Sequence, residues 1–85
     1  MTNEQILDEI ERMTTQIKAL ECEIERQQGL KDIMRPLIGA PITGHMWLSW
    51  WLAAHHNKLC YMEQLKTAKA QVSELKHQYI YEVQS

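Results

Sequence analysis

His56 and Cys60 stand four residues apart, with His55 beside them and His45 a little upstream. On a helix that spacing turns an imidazole and a thiol the same way. Two chemistries are open to such a pair. One is ligation of a metal ion; the other is attack by a thiolate with the imidazole as base. The sequence completes neither. A structural zinc site takes four ligands in close pairs, and the chain has no C-x-x-C and no H-x-x-x-H. Nothing supplies an oxyanion hole, a rigid pocket or a Gly-rich phosphate loop. The acids Glu21, Glu23 and Glu25 read as a solvated face. The expectation is therefore no catalytic residue, no metal ligand and no cofactor: the chain is not read as an enzyme. His55 is expected in the core as a hydrogen-bonded residue. Cys60 is expected as a small apolar filler, and Cys22 as a free surface thiol.

The densest stretch is His45-Met-Trp-Leu-Ser-Trp-Trp-Leu-Ala-Ala-His-His56, which holds all three tryptophans. At helical spacing, Leu48, Trp51, Leu52, His55 and Leu59 share one face. Trp47, Trp50, Ala54 and Tyr61 lie on roughly the opposite one. A segment with two apolar faces buries only one of them in a two-helix fold, so the second needs another cover. The cover is the chain's own connector, a second copy, or a different protein. Tryptophan at an interface buries much area at low entropy cost. Membrane attachment is disfavoured, because no Lys or Arg occurs between Gly44 and Asn57 to flank the aromatic residues.

Lys58, Lys66, Lys69 and Lys76 follow, with His77, Tyr79 and Tyr81. Lys58, Lys69 and Lys76 roughly align as a weak basic stripe. Ordinary solubilising charge explains them more simply, and a net charge of −2 argues against a phosphate-gripping protein.

The elements that hold these residues are marked by glycine and proline. All three glycines and both prolines lie between Gly29 and Gly44. They divide the 85 residues into arm, connector and arm. Thr2-Asn3-Glu4-Gln5 has the capping-box pattern that opens a helix. Ile6, Ile10, Met13, Ile17, Leu20 and Ile24 follow at spacings of four and three, a heptad seam. The seam then slips, since its next positions fall on Gln27 and Lys31. Apolar residues resume out of phase at Leu30, Ile33, Met34, Leu37 and Ile38, with Gly29 as the place for a bend. The helix is predicted over 3–35, stopped by Pro36.

The connector, 36–44, carries no charge, which is unusual for a surface loop. It is expected to fold back on an apolar surface or to be covered by a partner. The second helix is predicted over 45–84. Its apolar positions form two rows, Leu48, Leu52, His55, Leu59 and Met62, then Leu65, Ala68, Val72, Leu75 and Tyr79. A local overwinding between Met62 and Ala68 is expected to join them. The first arm, 1–35, carries eight acids and five bases; the second, 45–85, carries three acids and four bases. Opposite net signs favour side-by-side packing weakly.

The predicted fold is all-α: one domain over 1–85, a long antiparallel helical hairpin, coiled-coil-like, able to dimerise into a four-helix bundle. Two cysteines and 45% hydrophobic residues fit a reduced, cytoplasmic, globular setting. No run approaches the ~20 apolar residues of a membrane span. The build is similar in size and style to small accessory proteins of phages and plasmids. The expected function is a protein-interaction module, most sharply an inhibitor or regulator that docks on a larger host protein or defence complex. Its anchors are expected at Trp47, Trp50 and Trp51, ringed by Leu37, Ile38 and Ile42. A homodimeric scaffold is the alternative, and a nucleic-acid-binding hairpin dimer comes behind it.

Overall fold

A computed structural model describes residues 2–84, with side chains described through Tyr81. Helix α1 spans Asn3–Met34, a 3-10 turn Arg35–Leu37 follows, and helix α2 spans Gly44–Gln84. The described residues contain no strand. The two helices pack antiparallel into a rod measuring 67 × 14 × 14 Å. The chain is thus an all-α helical hairpin, as its breaker pattern predicts.

The start of α1 is chemically enforced. The Thr2 hydroxyl accepts from the Gln5 amide at 3.2 Å, and the Gln5 side chain accepts from the Thr2 amide at 2.9 Å. Two of the helix's orphan donors are satisfied in this way. Near this end Glu9 pairs with Arg12 one turn on. Hydrogen bonding from that guanidinium holds the Glu9 carboxyl below its ordinary value and raises Arg12.

At the other end Pro36 lies in the 3-10 turn rather than in α1. The backbone then closes through short-range bonds. Ala40 donates to the Leu37 carbonyl at 3.1 Å, and Gly44 donates to Ala40 at 3.0 Å. Gly44 is buried, and a Cβ there would collide with the carbonyl oxygen of Ile38. The turn therefore requires glycine at this position. Gly29 is different: α1 runs through it unbroken, and a Cβ there would meet open space.

Two expectations about phase are corrected. First, the α1 seam does not slip. Ile6, Met13, Leu20, Gln27 and Met34, seven residues apart, are all buried, and so is Lys31. Second, α2 has one seam, not two rows joined by overwinding. Its seam runs through Trp47, Trp51, Ala54, Lys58, Tyr61, Leu65, Ala68, Val72, Leu75 and Tyr79, all half-buried or buried, with His55 half-buried beside Ala54. The seam spacing is four and three throughout. The physical reason lies at the open end of the hairpin. There Met13, Leu20, Ala68 and Val72 form a dry core, flanked by Ile10, Ile17, Tyr61, Leu65 and Leu75. A helix cannot move its seam by one residue without turning about 100° on its axis. The register set by that core is carried to the elbow, although polar residues then occupy the seam.

The connector does not fold back as a cover. Leu37 is exposed and Ile42 is 85% exposed.

Candidate docking site

The elbow half mixes polarity. Its seam holds Gln27, Lys31, His55 and Lys58 beside Met34, Trp47, Trp51 and Ala54, while several leucines and isoleucines and Trp50 stand exposed outside it. Of the thirteen large apolar side chains exposed among the described residues, ten lie between Leu30 and Met62. That concentration marks this half as the candidate site.

The polar seam is satisfied. Lys31 Nζ lies 2.8 Å from His55 Nδ1. An ammonium has no lone pair, so Nδ1 is the acceptor in this contact. The same ammonium lies 4.7 Å above the Trp51 ring, a cation–π contact. Trp51 in turn stacks on His55 at 5.4 Å with the rings 9° from parallel. Lys31 also sits in the last turn of α1, where the carbonyl end of the helix favours a cation. Lys58 donates to Gln28 Oε1 at 2.6 Å, and Gln28 donates to Asp32 at 2.8 Å. Among the described residues, no buried side-chain nitrogen or oxygen lacks a partner. His55 is thus the hydrogen-bonded, half-buried residue that the sequence predicts.

The apolar exterior has two flanks. Leu30 and Ile33 each precede a seam residue of α1; Met46, Trp50 and Ala53 each precede one of α2. In an antiparallel pair these positions fall on one side of the rod. Leu30, Met34, Trp50, Ala53 and Asn57 accordingly line one open groove of about 310 Å³. Leu48, Leu52, Leu59 and Met62 each follow an α2 seam residue, so they occupy the other side. All four are exposed. The row expected to be the inner one is therefore an outer one, and the inner row starts at Trp47.

The six expected anchors are divided by the fold. Trp47 and Trp50 meet edge to face at 5.0 Å, with Trp47 half-buried and Trp50 50% exposed. Trp51 is held inside by Lys31 and His55. Leu37 and Ile42 are exposed at the tip, and Ile38 is half-buried. The structure adds Leu30, Ile33, Leu48, Leu52, Leu59 and Met62 to the exposed set. The heptad spacing of Leu48, Leu52, Leu59 and Met62 is the signal the sequence carries for this row, and it serves an outer face as well as an inner one.

Cys60 is corrected from filler to surface. It is exposed, with Sγ 3.5 Å from His56 Nε2. Among the described residues, no three His, Cys, Asp or Glu side chains converge as metal ligands would. Cys22 is exposed and unbridged, as expected. The basic stripe is also redrawn. Lys58 belongs to the seam, and Lys66, Lys69 and Lys76 share the flank that holds Leu52. None of the described helices is long and apolar enough to cross a membrane. No protein-family model, curated protein or solved structure matches the chain.

Proposed function

We propose that the chain is a non-enzymatic protein-interaction module that docks on a larger protein through its elbow half. The observation that carries this reading is the exposure of large apolar side chains outside the seam. A hairpin that seats lysine and glutamine in its seam while leucine, isoleucine and Trp50 stay exposed has put much of its apolar area where another molecule can bury it. Trp50, with Leu37 and Ile42 at the tip, supplies the anchors. Trp47 supports Trp50 from the side, and Trp51 fixes the seam beneath. An inhibitor or regulator of the larger protein is the sharpest form of this function, acting by occupancy alone.

The test is capture from a lysate of the native host, comparing wild type with Trp50→Ala and Ile42→Ser. Both positions are exposed, so circular dichroism should show unchanged helix content. A stoichiometric protein retained by wild type and lost by Trp50→Ala is the expected result. Retention of that protein by both variants would remove the elbow from the interface.

A further inference from the structure

We infer that the Leu52 flank of α2 receives an amphipathic α-helix of the partner. The partner helix carries an apolar seam at one end and carboxylates on the continuation of that seam. The inference rests on the docking reading above and names the partner's chemistry. Three observations carry it. Leu48, Leu52, Leu59 and Met62 stand exposed at heptad positions of one row, the spacing that seats the knobs of a second helix, with His55, held by Lys31, at the position between Leu52 and Leu59. The same row continues as Lys66, Lys69, Ser73 and Lys76, so one stripe changes from apolar to basic along α2. Beside the basic part lies an open groove of about 320 Å³, floored by Ile17 and Val72 and edged by Thr14, Lys69, Ser73 and Lys76.

The charge on this side is only partly answered within the chain. Glu21 lies 3.8 Å from Lys69, and Glu11 and Glu25, which also follow α1 seam residues, stand on this side without an ion pair among the described residues. Among the described residues, no carboxylate lies within 4.0 Å of Lys66 or Lys76. Asp32, on the α1 side, is occupied by Gln28, which itself binds Lys58. A carboxylate-bearing helix complements the remaining lysines, and a lysine-bearing helix is repelled. A lipid surface fits less well. It favours lysines bordering an apolar face along its length, whereas here they succeed it end to end.

The experiment uses the full chain and labelled synthetic peptides of about 28 residues, four heptads. One set carries leucine at the seam positions of one half and glutamate at those of the other, in both chain orders. A twin set carries lysine in place of glutamate. Fluorescence anisotropy should show one glutamate peptide binding roughly tenfold or more tighter than its lysine twin, as for paired charges at an interface. Lys66→Glu/Lys69→Glu/Lys76→Glu should reverse that preference. Leu52→Ser/Leu59→Ser should abolish binding of both peptides. Trp50→Ala, on the other flank, should leave peptide binding unchanged, so failure here is distinct from failure of the elbow reading. Equal affinity for both peptides, no binding, or binding that survives Leu52→Ser/Leu59→Ser would overturn the proposal. So would a dimer in sedimentation that Leu52→Ser/Leu59→Ser dissociates, since a second copy would then hold the flank. Sedimentation with phosphatidylserine-containing vesicles, lost in the same variant, would assign the flank to lipid and overturn it equally.

Discussion

The open half of the hairpin and its elbow half share one seam and use it in different ways. From Ile6 to Leu20 in α1, and from Leu65 to Leu75 in α2, the seam is apolar. The grooves beside it there are edged by polar residues such as Gln16, Gln64 and Gln71. From Gln27 and Lys31 across to His55 and Lys58 the seam mixes polar residues with Met34, Trp51 and Ala54, and the exposed flanks carry leucines and Trp50. The lesson is that packing register and hydrophobic pattern are separable. Once the dry half fixes the register, the elbow half keeps it with Met34 and Ala54 as its buried apolar residues and leaves its leucines outside. Those leucines are then available for another use. Polar groups at seam positions also fix which residues face each other, at some cost in stability.

Deleting the same atoms in each half is the strongest way to break this comparison. Leu20→Ala should cost about 2–5 kcal/mol, a large share of what holds so short a chain together. Leu52→Ala should cost well under that, about 0.5–1 kcal/mol, because about half of its surface is already exposed. Urea unfolding followed by circular dichroism reads both. A similar loss in the two variants would mean that the elbow's leucines are buried in solution.

The turn comes next. Gly44→Ala should destabilise by about 1–3 kcal/mol, because the added methyl displaces the Ile38 carbonyl. Gly29→Ala, with open space around it, should stabilise by about 0.5–1 kcal/mol through helix propensity alone. Thermal melts should therefore move in opposite directions. Replacing the seam pair, Lys31→Met with His55→Leu, should raise stability by about 1–3 kcal/mol. A loss instead would show that the polar seam supports the fold and does more than set its register.

The smallest effect belongs to the open end. The Arg12 hydrogen bond lowers the Glu9 carboxyl in the folded chain. Its contribution is present above the unfolded carboxylate range and is lost as pH falls through the lowered folded value. The group is fully exposed, so Glu9→Gln should melt with wild type at acid pH and only slightly below it at neutral pH.

The sequence made the helix count, the turn and the capping box legible, because those depend on local chemistry at Thr2, Gln5, Pro36 and Gly44. The first three heptads were equally plain, since Ile6 to Ile24 carry no competing pattern. Phase in the elbow half was not legible. Leu30 and Ile33 in α1, and Leu48 to Met62 in α2, offer a better apolar row than the one used. Hydrophobicity alone selects it, and only the continuity of each helix with the core beyond rejects it. The same confusion affected the candidate site. Trp50 and Trp51 both read as anchors, yet Trp51 caps a buried ammonium and Trp50 faces water. A one-residue step decides between them, and that step is set by Met13, Leu20 and Ala68 more than 20 Å away along the helices, at about 1.5 Å per residue.

Thr2 and Tyr81 lie at the same end of a rod 67 Å long, with the elbow at the other. Tension applied between those two points therefore acts as on a zipper. It parts the layers of Ile6, Met13 and Leu20 in sequence before any load reaches Lys31 and His55. The dry half is thus a mechanical fuse as well as a core. The elbow itself carries no load until the last apolar layer has opened.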